Sequence, residues 1–420
     1  MGFASSWLGE RTLFPRLIDE APDADAGIIV VIPAFNEPEI TALLDSLLKC
    51  SMPGCGVELI IIVNAPEDAG KEARDNNQKC LKNIEEWKRE NSECSFRIHP
   101  VDVTPLIHGE WSVGMARKAG MDEAVRRFDS LDRPDGIILS LDADCRVASN
   151  YFTAVFEEMH LRPDRQACSI YFEHPVNGVG FPEAIYKAII LYELHLRYYF
   201  QALLFTGKPD VHHTVGSAIA VKALPYVKSG GMNRRKAGED FYFIQKLIPA
   251  GGFFSLYGTT VYPSPRTSSR VPFGTGVTVA KLAESENPVL YTYNFKAFRE
   301  LKILFSLVEK LQSGRPDDFR NVYQDLPPGL RSFINISEWM EKVAEIRKNT
   351  SGPESFRKRF FIWFNMFRIV KYLNAVHVSM FEKRPVVESV SELLAETGRH
   401  PDTDDALALL QYLRKTERGY

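Results

Sequence analysis

Two aspartates one residue apart, Asp142 and Asp144, end the apolar run of "GIILSLDAD". Strands buried on both faces tolerate almost no charge, so the pair marks where such a strand stops. A turn immediately past the strand lets both carboxylates reach one bound ion, and hard oxygen donors suit Mg2+ or Mn2+. Magnesium keeps waters and shares itself between one or two carboxylates and substrate phosphates, so the triplet points to a nucleoside diphosphate. The same residue types also make a helix N-cap followed by a turn aspartate, so the surroundings must decide. A second acidic pair, Glu239 and Asp240 in "GGMNRRKAGED", opens a helix-like stretch. Carboxylates at that position favour a helix N-terminus through its dipole.

The elements around these pairs repeat one pattern. "GIIVVIPAFNE" (27–37) is a β-branched apolar run stopped by Pro33 and followed by a helix-like stretch at 39–49. "VELIIIVNAPEDAG" (57–70) repeats the strand, and a charged helical pattern follows over 71–89. A strand at 95–101 and a helix of small residues at 112–128 then lead into the strand that ends in the aspartates. Strands that are apolar throughout and alternate with helices predict a parallel sheet covered on both sides. Ligands of such sheets gather beyond the carboxyl ends of the strands, where Asp142 and Asp144 fall. Further on, a long helix is predicted at 183–205, a strand at 215–222, a helix at 238–248, and a strand running into a Pro, Ser and Gly loop over 258–276. Beyond about residue 280 helix-like segments dominate, broken by "SGRPDD", "LPPG" and "TSGPES". The expected divisions are an N-terminal extension at 1–26, an α/β domain at 27–280 and a helical region at 281–420.

A chain of 420 residues, 45% hydrophobic and 25% charged, builds a large core. A net charge of −3 argues against broad electrostatic capture of nucleic acid or anionic lipid. The N-terminal lead lacks the basic start and apolar core of a secretion signal, which predicts a cytoplasmic protein. Six cysteines include no CxxC pair, so reduced, unrelated thiols are expected rather than a zinc cluster. The 183–205 stretch is interrupted by Glu193, His195 and Arg197 and is not expected to span a bilayer. The basic, aromatic segment at 357–373 fits either a membrane surface, as a peripheral contact on its inner face, or a core-facing helix with solvated Arg and Lys.

Taken together, "VIPAFNE" at 31–37, "DAD" at 142–144 and "GED" at 238–240 resemble a family 2 glycosyltransferase of the GT-A fold, with order and spacing agreeing over roughly 27–276. The resemblance implies an α/β, Rossmann-like, mostly parallel sheet with helices on both sides, followed here by the helical C-terminal region. It implies a hexosyltransferase-like enzyme that takes a UDP- or GDP-linked sugar as donor. Pro33, Ala34 and Glu37 would lie against the nucleoside, with Asn64 and Asp68 closing on the base. This chain has "NAPED" where the family usually carries an aspartate-rich turn, so the base stays open. Arg117 and Lys118 are the resemblance's basic side chains near the donor; alternatively, Ala116, Gly120 and Ala124 at four-residue spacing simply allow close helix-to-sheet packing. Asp142 would contact ribose or metal and Asp144 would ligate the metal. Asp240, with Glu239 beside it, would be the catalytic pair, Asp240 taking the acceptor proton in an inverting transfer. His212 or His213 would face the acceptor or the metal. Arg266 and Arg270 occupy the loop after the last strand, and Arg270 is the preferred phosphate contact.

Two other classes are disfavoured by the first strand and its turn. A dinucleotide-dependent dehydrogenase would carry GxGxxG there, and a nucleotidyltransferase a Gly-rich basic loop, whereas "PAFNEPE" is acidic. A retaining GT-A transferase acting on a small glycerate-type acceptor and a non-catalytic nucleotide-sugar-binding scaffold both stay open. So do a saccharide, lipid-linked or small-molecule acceptor and a homo-oligomer.

Overall fold

The computed structural model describes residues 2–419 apart from 236, 269–273, 314–315 and 402. In chain order its first elements are α1 (Ser5–Glu10), β1 (Ala26–Ala34), α2 (Thr41–Leu48), β2 (Gly56–Val63), α3 (Lys71–Glu90), β3 (Phe96–Asp102), α4 (Val113–Ser130) and β4 (Ile137–Ser140). There follow β5 (Arg146–Val147), α5 (Tyr151–His160), β6 (Ala167–Phe172), α6 (Glu183–Phe205), β7 (Ile219–Lys222), α7 (Ala223–Lys228), α8 (Glu239–Leu247) and β8 (Phe253–Tyr262). The chain divides into two compact units, Met1–Phe181 with His212–Val277, and Pro182–Val211 with Thr278–Tyr420.

In the first unit, the described residues form one eight-stranded sheet in the order β3-β2-β1-β4-β7-β6-β8-β5. β1, β2, β3 and β4 are mutually parallel, β7 runs antiparallel to both β4 and β6, and β8 is parallel to β6. Apolar side chains cover both faces of the centre. Ile29 and Val31 of β1 pack with Ile60 and Ile62 of β2 and with Ala116, Ala119, Ala124 and Phe128 of α4. Ile28, Val30 and Ile32 point the other way, because strand side chains alternate, and are equally buried. Right-handed crossovers place α2 and α3 on that second face, since β1, β2 and β3 step in one direction, while α4 returns over the first face to reach β4. The mostly parallel sheet sheathed by helices is the fold class expected from the sequence.

α4 starts at Ser112, whose side chain accepts from the Met115 amide. Its approach to the sheet depends on Gly120, where an added β-carbon would lie 2.4 Å from Val31 Cγ1. Charge on this face is paired. Arg127 of α4 grips Glu58 of β2 with two hydrogen bonds, Nε to Oε2 at 2.6 Å and Nη2 to Oε1 at 2.9 Å. The N-terminal segment, expected only as an extension, runs along α4. Backbone amides of Ala4, Leu13, Leu17 and Ile18 donate to Asp129, Asp122 and Glu123, and the Trp7 ring packs edge-on against Tyr226. Strands β5 and β6 of the sheet, and helix α5 between them in the chain, were not read from the sequence.

In the second unit, α6 packs on the helices Val386–Glu396 and Ala406–Arg418. The polar residues that interrupt its apolar run are the ones that fasten it. Buried Arg197 donates to Glu193 at 2.8 Å and to Glu417 at 2.5 Å, and Arg414 donates to Glu193 at 2.7 Å. α6 therefore groups with the C-terminal helices, although it falls inside the 27–280 segment. The basic, aromatic segment forms the helices Pro353–Trp363 and Met366–Ser379. Phe356, Phe360, Phe364, Ile369 and Tyr372 are buried, while Arg357, Lys358 and Arg359 are exposed, as in the core-facing alternative. Among the described residues no helix is long and apolar enough to cross a membrane. All six cysteines are free thiols.

Candidate active site

The topology decides which chain segments meet. β2 lies on one side of β1 and β4 on the other, so the loops leaving β1 and β4 diverge and leave a crevice at their carboxyl ends. Glu37 follows β1 and Asp142 and Asp144 follow β4. α4 enters from β3 and α8 leads into β8, so both helices present their N-termini at that same edge, with Arg117 on the first and Glu239 and Asp240 on the second. β8 runs back to the edge and carries Arg266 four residues past its end.

Two arginines knit these segments together. Arg117 donates through Nη2 to Asp142 Oδ1 at 2.5 Å and through Nη1 to Glu239 Oε1, joining the two acidic motifs. Arg266 donates through Nε to Asp144 Oδ2 at 2.6 Å and through Nη2 to Glu37 Oε1. Exposure separates the partners: the side chains of Arg117 and Glu239 are 5% and 4% exposed, those of Asp142 and Asp144 36% and 24%. The two aspartates are thus the more accessible members of these pairs, while buried Arg117 and Glu239 back Asp142. Gly216, just before β7, lets the Arg117 guanidinium pass.

The turn after β1 is held by asparagines. Asn36 takes the left-handed conformation, φ 58°, which Asn tolerates better than most residues. Its amide donates to Asn77 and its side chain accepts from Asn76, which fixes the turn just before Glu37. Asn64 donates to the carbonyls of Ala34 and Ile62 and accepts from Trp111 Nε1 at 2.9 Å, so its amide ties the β1, β2 and α4 loops together. Pro33 and Ala34 are buried in the β1 and β2 pairing. Asp68 is exposed in a loop whose carbonyls are gathered by Arg74.

The remaining candidates make other contacts or lie outside the described residues. Lys118 is buried on another face of α4, paired with Asp122 at 2.9 Å and lying 5.1 Å from the Trp7 ring centroid. Successive helix residues are turned by about 100°, so Arg117 reaches the carboxylates and Lys118 cannot follow it. His212 bonds Ser255 Oγ at 2.8 Å, and the His213 ring meets Phe172 edge-on. Arg270 lies outside the described residues. Arg266, noted in the sequence but ranked behind Arg270, is the described loop arginine on the carboxylates. Position just past the final sheet strand was its only sequence signal.

Electrostatics follow from burial and these pairings. Burial raises the Glu239 pKa against the opposing pull of Arg117. Burial likewise raises Asp240, and nearby Asp142 adds to this, while Arg117 and the backbone amides of Phe241 and Gly216 pull it down. The Phe241 amide lies 2.7 Å from Asp240 Oδ1. Burial alone would lower the Arg117 pKa, but Asp142, Glu239 and Asp240 outweigh it. Arg266 is raised in the same way by Glu37 and Asp144.

The Asp142 and Asp144 carboxylates fit Mg2+ or Mn2+ by donor chemistry, being hard oxygens on one turn with open exposure. Among the described residues no group of three or more His, Cys, Asp or Glu side chains is arranged to hold an ion alone. Water and donor phosphates would complete the coordination, as magnesium sites allow.

No family model matches the sequence, and no curated protein matches it either. Solved structures similar to this chain include S. aureus TarS 1–349 in complex with UDP-GlcNAc, at 15% identity over 80% of this chain and 91% of that chain, TM-score 0.39. The mannosyltransferase PcManGT from Pyrobaculum calidifontis, in complex with GDP-Man and Mn2+, is 12% identical over 90% of this chain and 93% of its own, TM-score 0.36. Glucosyl-3-phosphoglycerate synthase from Mycobacterium tuberculosis, in complex with Mn2+, UDP-Glc and phosphoglyceric acid, is 16% identical over 56% of this chain and 71% of that chain, TM-score 0.33.

Proposed function

We propose that the chain is a GT-A glycosyltransferase that moves a sugar from a UDP- or GDP-linked donor to an acceptor hydroxyl, with inversion and with a divalent cation. What carries this is the Arg117 bridge between Asp142 and Glu239, which brings two acidic motifs far apart in sequence to one sheet edge at the switch in strand order.

Asp142 and Asp144 would hold the cation. When bound, Mg2+ or Mn2+ supplies positive charge against the diphosphate that leaves. Arg117 fixes the Asp142 carboxylate and, with Glu239 as counter-ion, resists rotation of the turn. Glu239 is therefore a positioning residue, which leaves Asp240 as the base. A raised pKa suits that role, because a base of higher proton affinity draws the hydroxyl proton more strongly. In the transfer the acceptor oxygen bonds the anomeric carbon as the bond to the β-phosphate oxygen breaks, and Asp240 receives the hydroxyl proton. Glu37 and the Asn36 turn border the nucleoside end of the crevice.

A screen of UDP- and GDP-sugars with Mn2+, reading released nucleoside diphosphate, tests the proposal. Hydrolysis or transfer from at least one donor, together with metal-dependent thermal protection by the matching diphosphate, is expected. Protection without turnover would point to a scaffold, and the absence of both responses would refute nucleotide-sugar binding.

A further inference from the structure

We propose that Arg266 is a counter-ion clamp that masks Asp144 in the donor-free chain and releases it when a nucleoside diphosphate arrives, so that cation and diphosphate load together. This rests on the glycosyltransferase reading of the same site.

Arg266 holds Asp144 and Glu37 at once, with Nε on the first and Nη2 on the second. It reaches them from the segment after β8, whose backbone is shaped by the Arg266 amide donating to Ser264 Oγ at 3.3 Å. A guanidinium is a fixed, planar fork whose geometry suits two carboxylates or one diphosphate equally well. The site is open enough for exchange, since the Arg266 side chain is 29% exposed and Asp144 24%.

A divalent cation on Asp144 would stand within a few ångströms of the guanidinium carbon, and two positive charges that close repel. A bare cation must therefore displace Arg266 from Asp144 or bind against that repulsion. A diphosphate removes the conflict: its oxygens offer Arg266 a new bidentate partner while supplying the cation with ligands. Each ligand then favours the arrangement the other needs, and linkage makes the effect reciprocal. Arg117 holds Asp142 throughout, because it is buried and has Glu239 as a second anchor.

The test titrates Mn2+ into the full chain, following the free-ion EPR signal, with and without UDP or GDP and with nucleotide-only controls. Wild type is expected to bind bare Mn2+ weakly and to gain about tenfold or more when diphosphate is present, within the usual range for coupled sites. Arg266→Gln is expected to bind bare Mn2+ about tenfold more tightly than wild type and to lose most of the nucleotide gain. Arg266→Lys keeps the charge without the fork and should fall between them, which guards against a folding defect in the Gln variant. Equal or weaker Mn2+ binding by Arg266→Gln overturns the clamp. If Arg266→Gln gives that overturning result while wild type still binds Mn2+ with diphosphate and transfers sugar, the clamp alone falls; if wild type binds no Mn2+ with either diphosphate, the clamp falls together with the glycosyltransferase assignment.

Discussion

The guanidinium of Arg117 lies over Gly216, where an added β-carbon would stand 2.8 Å from Nη2. Gly216→Ala therefore pushes Arg117 off Asp142 or Glu239 rather than disturbing the sheet. Transfer should drop by about tenfold to a hundredfold, as small misplacements of catalytic groups do, with circular dichroism unchanged. Unaltered kcat would show that the Arg117 bridge does not set the geometry of the Asp142 turn.

Asp144→Asn keeps the shape of the side chain and removes its charge. Turnover should fall by about 10²–10³, in line with the loss of one charge-stabilising group, and thermal protection by Mn2+ with diphosphate should disappear. Retained protection would place the cation elsewhere.

Asp240→Asn should leave donor binding intact and slow transfer by about 10²–10⁴, the usual contribution of a general base. In wild type the acid limb of the kcat profile should sit above the roughly 3.9 of a free aspartate, because burial raises this group.

The same shift has a sign for stability. A folded-state pKa above the unfolded one means that the contribution of Asp240 is complete below the unfolded value and is lost as pH rises through the folded value. Asp240→Asn should therefore melt higher than wild type at about pH 8, with the difference closing near about pH 3. A lower melting point at the higher pH would contradict the raised value.

Arg127→Met leaves Glu58 buried without its bidentate partner. Removing one member of such a pair costs about 3–5 kcal/mol, so chemical denaturation should shift strongly while activity per folded molecule stays near wild type. A proportionate loss of kcat would tie this pair to the site after all.

The centre of the sheet was legible because β1, β2 and β4 are continuous apolar runs, and α6 because its apolar stretch is too long for a strand. β6 was not read because "ACSIYF" is short and follows a helix, α5, with no strong cap. The N-terminal segment was missed for a different reason: its order comes from single backbone amides meeting Asp122, Glu123 and Asp129, and no local periodicity announces such contacts. At the site, the place of Asp142 and Asp144 at the carboxyl end of a strand was legible from the apolar run, whereas their grouping with Glu239 and Asp240 was implied only by the resemblance. The choice between Arg117 and Lys118 turned on helical rotation, and the engagement of Arg266 on a fold-back after β8 that only three-dimensional placement reveals.

Because residues near the start of the chain are stitched onto α4, and α4 also carries Arg117, the two ends of that helix share one mechanical fate. Trimming the segment before Ala26, or fusing a bulky tag close to Trp7, would strip the cover from Lys118 and Asp122 and slacken the rod that steadies the crevice. An affinity handle for purification belongs elsewhere on this molecule.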